Sequence, residues 1–392
     1  MLKKISSYLL FLVVAAFLNV QAAVIPAPPA LGATGYILMD ADSGQILVEQ
    51  NSHEQLPPAS LTKMMTSYVL SVELAAGRVD KSDMVTISEA AWAQNPVFNG
   101  SSLMWIEVGK QVKLADLHRG IIISSGNDAS VAVAEYLAGN EDGFAGVMNK
   151  HAQLLGMKDT QFKNSHGLPA EDQYSSAFDL ALLAKAIIQN HPEDYAIYKE
   201  REFTYNQIRQ PNRNRLLWRD PAVDGLKTGH TEEAGYCLVA SAKKNDMRLI
   251  SVVMGTKSSA ARERDTQKLM AYGFRFYEPH TLYAPGTELS SIKVWGGAQD
   301  IVKLGVSEAI SLTIPRGRHQ DIEAIMSIDS ALKAPILKGA EYGELSITLD
   351  GEVLHTAPLV AQSGVAEGGL FKRLWHGIWL FFQGIFGLER NG

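Results

Sequence analysis

The spacing of the apolar residues changes several times along this chain of 392 residues, and these changes limit the folds that it can adopt. Residues 34–50 alternate apolar and polar side chains on both sides of a turn at Asp42–Gly44, which predicts a β-hairpin. Residues 60 to about 191 have mostly helical spacing, and residues 202 to about 255 return to strands. One more helix is predicted over residues 261–277. Together these segments indicate an α+β domain.

Beyond residue 279 the pattern changes to short alternating strands separated by turn residues. The last hairpin has a turn at Asp350–Gly351, a pair of residues that favours tight β-turns. Residues 280–364 are therefore predicted to form a small all-β domain, which follows a first domain over residues 23–279. A C-terminal segment over residues 365–392 completes the chain.

Residues 1–22 have the pattern of a secretory signal peptide. Lys3 and Lys4 precede an apolar stretch from Tyr8 to Leu18, and small residues follow at positions 20 and 22. The apolar stretch is too short to span a membrane comfortably. We predict cleavage after Ala22, and hence an exported protein.

Charge and cysteine content exclude other classes of protein. The net charge of −6, without a block of lysine and arginine, makes nucleic acid an unlikely partner. Cys237 is the only cysteine, so an internal disulfide cannot form. Its apolar, strand-like neighbours predict a small buried residue, and stability must come from packing.

An amphipathic helix is predicted over residues 370–388. On a helical wheel with about 100° per residue, one half is apolar, with two tryptophans and four phenylalanines. This face, with Lys372 and Arg373 near the helix start, favours the plane of a membrane interface. A spanning helix is disfavoured because His376 and Gln383 would also lie in hydrocarbon. The alternative is a helix packed on the β-domain.

The pattern Ser-x-x-Lys occurs four times, and only the pair Ser60–Lys63 falls at a predicted helix start. There, residues three apart share a face, whereas in strands they point to opposite faces. A serine at a helix start lies near the positive end of the helix dipole and near unpaired N–H groups that can hold an oxyanion. Lys63 can accept the hydroxyl proton only if it is neutral, and burial and a second nearby cation both lower its pKa. The pair therefore predicts another lysine close by in space, and Lys227 is the one that the sequence offers.

Two further short motifs follow in suitable contexts. Ser125-Gly126-Asn127 precedes a predicted helix, and Lys227-Thr228-Gly229 precedes a predicted strand. With Ser60-x-x-Lys63 they resemble, in order and context, the three active-site signatures of penicillin-binding proteins and serine β-lactamases. Longer stretches such as "SSGNDASVAVAEYLAG" and "VDGLKTGHTEEAGY" resemble the low-molecular-mass D-alanyl-D-alanine carboxypeptidases, and the resemblance covers nearly the whole chain.

The resemblance implies a fold. The first domain would be β-lactamase/transpeptidase-like, with an antiparallel sheet flanked by helices and a helical subdomain. It would be followed by the all-β domain and the amphipathic helix. With the signal peptide, this implies a periplasmic protein attached peripherally to the inner membrane.

The resemblance also implies roles for the motif residues. Ser60 would be the nucleophile and Lys63 its general base. Ser125 would help to relay the proton to the leaving amine, and Asn127 would hold the substrate amide.

The remaining residues would bind the substrate. Lys227 and Thr228, followed by Gly229, would face the terminal carboxylate on a strand at the sheet edge, where the peptide can add as a further strand. The backbone N–H groups of Ser60 and His230 would form the oxyanion hole. By the same resemblance, Arg262 would support carboxylate recognition and Arg213 would be a second active-site arginine, although both could equally be surface salt-bridge residues.

The implied reaction is cleavage between two D-alanines of a peptidoglycan stem through an acyl-enzyme, without a cofactor, and β-lactams would acylate the same serine. Gly126 stands where many relatives, including class A β-lactamases, have aspartate, which favours the carboxypeptidases. The alternatives are a D,D-endopeptidase that cuts cross-links and an envelope scaffold with secondary peptidase activity. A zinc peptidase has weak support, because the ten histidines include no His-x-x-x-His pair.

Overall fold

The computed structural model describes residues 25–328 and 331–386, with only the backbone at residue 377 and over residues 380–386. The predicted signal peptide at residues 1–22 and the last two residues of the predicted helix over 370–388 lie outside the described residues.

The first domain contains the following strands in chain order: β1 (Gly35–Asp40), β2 (Ile46–Gln50), β3 (Met84–Thr86), β4 (Gln111–Lys113), β5 (Glu202–Tyr205), β6 (Ile208–Pro211), β7 (Val223–Thr231), β8 (Gly235–Lys244) and β9 (Met247–Thr256).

Its helices are interspersed among these strands. They are α1 (Lys63–Ala75), α2 (Leu114–Arg119), α3 (Asn127–Ala138), α4 (Glu141–Leu154), α5 (Ala177–Asn190), α6 (Pro192–Tyr195), α7 (Leu216–Arg219) and α8 (Ser259–Phe276). A 3₁₀ turn over Ala59–Thr62 leads into α1, and a π-helical turn over Gly120–Ser124 continues α2. Helix α3 ends at a glycine with positive φ, Gly139, as the sequence predicts.

The main sheet has five antiparallel strands in the order β2-β1-β9-β8-β7. Helices cover both faces of this sheet, so its strand β1 is buried along its whole length. Ile37 and Met39 join the core under α1 and α5, whereas Leu38 points to the opposite core, which contains Leu269 of α8. A further core forms between α2, α3 and the short strands. The α+β class with a helical subdomain is confirmed.

The second domain is all-β, as predicted, and its first strand begins at Tyr277. Its strands are β10 (Tyr277–Tyr283), β11 (Glu288–Trp295), β12 (Ile301–Gly305), β13 (Ile310–Pro315), β14 (Ile322–Ile328), β15 (Leu332–Lys333), β16 (Glu341–Leu349) and β17 (Glu352–Ala361). Strands β10 and β13 pair with each other, and the rest form a sheet in the order β14-β16-β17-β12-β11-β15. At the domain junction, the Thr313 hydroxyl donates to the Asp40 carboxylate over 2.8 Å.

Helix α9 (Leu370–Phe386) follows the second domain. The ring nitrogen Nδ1 of His376 accepts a hydrogen bond from the Gly296 N–H over 2.9 Å, and Trp379 stacks on Trp295. The helix therefore contacts the end of β11. Within the described part of the chain, no helix is both long and apolar enough to cross a membrane.

Candidate active site

The 3₁₀ turn before α1 brings Ser60 and Lys63 together. Lys63 Nζ lies 3.1 Å from Ser60 Oγ, and Lys63 is 1% exposed. The preceding residue, Ala59, has a φ of 47°, a left-handed conformation that is costly for a residue with a side chain. Two other Ser-x-x-Lys pairs, Ser241–Lys244 and Ser290–Lys293, begin in strands β8 and β11, and the fourth involves residue 330, outside the described residues.

The Lys63 amine has three polar contacts, which the ammonium form can make with its three N–H bonds and the neutral form with two N–H bonds and a lone pair. Nζ donates to Asn127 Oδ1 over 2.6 Å and to the His166 carbonyl over 2.5 Å, and both partners can only accept. A neutral amine has two N–H bonds and one lone pair. When the amine is neutral and both N–H bonds serve these two partners, its lone pair is left for the Ser60 hydroxyl 3.1 Å away, the arrangement in which Lys63 can take its proton.

The electrostatic surroundings favour this neutral form. Burial lowers the pKa of Lys63 to about 7, with a further lowering by Arg213. The carboxylates of Asp128 and Glu141 act in the opposite direction and raise it.

The sequence predicts that the second cation is another lysine, Lys227, but the cation whose charge lowers the pKa of Lys63 is Arg213. The charge of Lys63 in turn lowers the pKa of Lys227. The Arg213 side chain lies partly exposed at the rim of the cleft and donates to the Ser124 carbonyl.

Ser125 and Lys227 face this pair across the cleft. Ser125 follows the π-helical turn with a φ of 58°, and its hydroxyl accepts a hydrogen bond from Lys227 Nζ over 2.8 Å. Burial lowers the pKa of Lys227 well below its usual value, and the charges of Lys63, Arg213 and Arg262 add to this effect. Residues 102 positions apart in the chain thus meet in one site.

Asn127, at the start of α3, connects the two sides of the cleft. Its Oδ1 accepts from Lys63, and its Nδ2 donates to the Ser101 hydroxyl over 2.8 Å. The amide is thereby fixed in orientation, because Lys63 can only donate to its oxygen.

Strand β7 forms the other wall of the cleft and is the edge of the main sheet. Thr228, Gly229 and His230 line the cleft with Ser60. A Cβ at Gly229 would lie 3.0 Å from the Pro58 carbonyl, so glycine allows β7 to approach the turn that carries Ser60. The His230 ring stacks on Tyr236 with ring centroids 3.8 Å apart.

The side chain of Arg262, in α8, packs against β7 in the same wall of the cleft. It is 7% exposed and donates to the carbonyl of Gly229 over 3.2 Å. Its guanidinium lies 5.6 Å from the centre of the Tyr236 ring. Arg262 is thus a buried residue of the cleft wall rather than a surface salt-bridge residue.

Asp128 is a residue of the site that the sequence interpretation missed. Its buried carboxylate accepts backbone N–H bonds from Met104, Trp105, Ile106 and Ala129. It therefore fixes the loop that follows Ser101. An aspartate in the first turn of a predicted helix was the available signal, but such residues usually serve the helix alone.

The cleft has a volume of about 480 Å³, within the usual range for small-ligand sites. Cys237, adjacent to this wall, is buried as predicted, and burial raises the pKa of its thiol to about 11. Over residues 25–328 and 331–386, no cluster of three or more potential ligands for a metal ion is found.

Comparisons with known proteins match both domains. Residues 22–258 match the family model described as D-alanyl-D-alanine carboxypeptidase, and residues 277–367 match the model of the penicillin-binding protein 5 C-terminal domain. D-alanyl-D-alanine carboxypeptidase DacC of Escherichia coli is 48% identical over 362 residues, covering 92% of this chain and 90% of the relative.

Solved structures agree with these matches. Penicillin-binding protein 5 from Haemophilus influenzae aligns with a TM-score of 0.83 at 46% identity, covering 87% of this chain and all of that one. Penicillin-binding protein D2 from Listeria monocytogenes, solved with ampicillin bound, aligns with a TM-score of 0.56 at 28% identity, covering 64% of this chain and all of that one.

Proposed function

Because the chain belongs to the family of D-alanyl-D-alanine carboxypeptidases, we propose that Ser60 is the nucleophile of a serine D,D-carboxypeptidase acting on peptidoglycan stem peptides. The observation that carries this assignment is the contact between the Ser60 hydroxyl and the buried amine of Lys63, which also donates to Asn127 and to the His166 carbonyl. This contact pairs a nucleophile with a base in hydrogen-bond reach.

Acylation begins when Ser60 Oγ attacks the carbonyl carbon between the two D-alanines and its proton passes to Lys63 Nζ. The backbone N–H groups of Ser60 and His230 bind the oxyanion of the tetrahedral intermediate. Its collapse breaks the peptide bond, and Ser125 relays a proton to the leaving amine. Free D-alanine departs and Ser60 carries an ester.

Deacylation reverses these roles. A water molecule attacks the ester carbonyl, Lys63 accepts a proton from the water, and the Ser60 hydroxyl is restored. The same lysine acts in both steps because its Nζ lies 3.1 Å from Ser60 Oγ, to which it returns the proton as the ester bond breaks.

Substrate binding uses the opposite wall. The terminal carboxylate lies against Lys227, Thr228 and Arg262, and its charge favours the ammonium form of Lys227. The peptide backbone adds to the free edge of β7, and Asn127 holds its amide. Arg213, at the rim, adds positive charge above the same pocket.

β-Lactams acylate Ser60 in the same way, because they present a strained amide and a carboxylate to the same groups. The ampicillin complex of penicillin-binding protein D2 supports this assignment, since that protein shares the fold of the first domain.

The protein acts in the periplasm, held at the inner membrane surface by α9. Two observations support this location: the signal-peptide pattern of residues 1–22, and the exposure of apolar side chains on α9, with Leu370 81% and Phe371 92% exposed. A face of bulky apolar residues open to water on one side of a docked helix suits a lipid interface.

The test uses the mature protein and its Ser60→Ala variant. We expect fluorescent penicillin to label the native protein covalently and Ser60→Ala not at all. With a pentapeptide muropeptide, mass spectrometry should show the loss of one alanine. Persistent labelling of Ser60→Ala would place the nucleophile elsewhere, and conversion of cross-linked dimers to monomers would favour the endopeptidase alternative.

A further inference from the structure

Glu141 lies behind Lys63, at the first turn of α4, and holds the loop of residues 164–168. Its Oε1 accepts hydrogen bonds from the N–H of Ser165, over 3.0 Å, and from the Ser165 hydroxyl. Its Oε2 lies 3.2 Å from Nε2 of His166. One carboxylate thus binds two consecutive residues of the loop.

These two residues present their carbonyl groups to α1. The His166 carbonyl accepts from Lys63 Nζ over 2.5 Å, and the Ser165 carbonyl accepts from the Thr66 hydroxyl over 2.6 Å. A shift of the loop would therefore change the hydrogen bond that uses one N–H of Lys63, and with it the direction of the lone pair.

The His166 ring links Glu141 to the 164–168 loop through its two nitrogens, and these contacts leave neither nitrogen available as a base. Its Nδ1 accepts the N–H of Leu168 over 3.1 Å, so in the neutral ring the proton is on Nε2 and is donated to Glu141. Both ring nitrogens are occupied, and the residue is 6% exposed.

Glu141 also carries a charge that Lys63 experiences. Burial raises the pKa of Glu141, but the hydrogen bond and charge of His166 and the hydrogen bonds of Ser165 outweigh it and hold the pKa below its usual value. The carboxyl is therefore ionised at neutral pH. Among the charges near Lys63, Asp128 from α3 and Glu141 from α4 favour its ammonium form, and Arg213 opposes it. Lys227 from β7 is a further titratable amine of the site, and the charge of Lys63 lowers its pKa.

We propose that Glu141 is a positioning residue for the reaction, which holds the 164–168 loop against Lys63 and places a carboxylate charge near its amine. This inference rests on the proposed role of Lys63 as the base. Glu141 is not among the described residues that line the cleft.

The test compares Glu141→Gln with Glu141→Asp. The first removes the charge and keeps the length, and the second keeps the charge and shortens the side chain. Asp142→Asn is the matched control, because Asp142 is an exposed acid in the same helical turn. For each full-length variant, the second-order rate of acylation by fluorescent penicillin is measured between pH 5 and 9, with thermal unfolding and labelling stoichiometry as checks of folding.

Removal of the charge should lower the pKa of Lys63 and leave more of it neutral in acid. In a plot of acylation rate against pH, the acid limb is the part where the rate rises with pH, and the plateau is the constant rate above it. For Glu141→Gln we expect the acid limb to move to lower pH by about half a unit and the plateau rate to fall several-fold. Glu141→Asp keeps the charge, so it should lower the plateau rate and leave the acid limb at its native pH. Asp142→Asn should have the same pH profile as the native protein.

An unchanged acid limb in Glu141→Gln, or an equal shift in Glu141→Asp, would overturn the inference. These outcomes are distinct from failure of the proposed function, which would appear as labelling that persists in Ser60→Ala. If Glu141→Gln fails to fold, Glu141→Asp still tests the inference. An acid limb of Glu141→Asp that is displaced from that of Asp142→Asn would overturn it.

Discussion

At the scale of single residues, the proposed role of Lys63 as a base depends on the fold, which excludes water from its amine and provides acceptors for its N–H bonds. Its amine is buried, and Asn127 and the His166 carbonyl both accept from it. An exposed lysine has a pKa of about 10.4 and is almost wholly protonated at neutral pH. The tertiary environment changes an ordinary ammonium into a base without any change of residue type.

The rate of acylation should depend on pH through Lys63. Burial lowers the pKa of Lys63 to about 7, and only the neutral form, present above this pKa, can accept the Ser60 proton. We therefore expect the acylation rate with a D-Ala-D-Ala peptide to rise about tenfold per pH unit below pH 7 and to level off above it. Stopped-flow or quenched-flow measurements would show this, and a flat profile from pH 5 to 8 would contradict it.

Arg213 should shift the same profile in the direction opposite to Glu141. Its positive charge lowers the pKa of Lys63, so Arg213→Met should raise that pKa and move the acid limb to higher pH. The shift should be a few tenths of a unit, because Arg213 is partly exposed and water screens its charge. Arg215→Met is the matched control, since Arg215 is exposed and two positions further on. Equal profiles for the two variants would refute the effect.

At the scale of elements, the site depends on close contact between segments that each have an unusual backbone. Ala59, Ser125 and Gly167 all have positive φ and lie at or beside the catalytic residues. For the two non-glycine residues this costs about 1–2 kcal/mol each. Such strain at an active site indicates that surrounding contacts hold the backbone in place.

Gly167 offers a test of this packing. Its φ is 87°, and a Cβ would lie 1.9 Å from the carbonyl oxygen of Ala59, the neighbour of Ser60. Gly167→Ala should therefore displace the nucleophile turn and reduce acylation by about 100-fold or more. Gly156→Ala is the control, because Gly156 has a φ of 78° and nothing within 4 Å.

The control separates two effects of alanine. Gly156→Ala should lose only about 1 kcal/mol of stability from its backbone conformation and keep its acylation rate. Equal acylation rates in the two variants would show that the contact between Gly167 and Ala59 does not position Ser60. Thermal unfolding and penicillin labelling measure the two effects separately.

At the scale of the whole molecule, the second domain connects the catalytic domain to α9. Thr313 donates to Asp40 at the junction, and its N–H donates to Gln45 over 3.2 Å. At the other end, His376 and Trp379 fix α9 to the end of β11. The helix is therefore docked by one side while Leu370 and Phe371 remain exposed.

Deletion of residues 368–392 should separate membrane binding from catalysis. None of the described residues of this segment lines the cleft, so cleavage of a soluble D-Ala-D-Ala peptide should keep its native rate. Binding to vesicles that contain anionic lipid should be lost, because the exposed apolar face is removed. Sedimentation with vesicles measures this, and continued sedimentation of the truncated protein would contradict the membrane role of α9.

The sequence by itself determined the class of each domain and the positions of the three motifs at element boundaries. Periodicity and turn residues are local properties, so they predicted the hairpins, the start of α1 and the all-β second domain. The pairing of Ser60 with Lys63 was also local, since three positions on a helix share a face.

Only the tertiary structure decided which distant groups tune the site. Lys227 meets Ser125 across 102 residues, and the His166 carbonyl meets Lys63 across 103. Glu141 and Asp128 act on Lys63 through charge and through the loops that they hold. Such effects depend on burial and on distances of a few ångströms between separate elements, and no local pattern of residues encodes them.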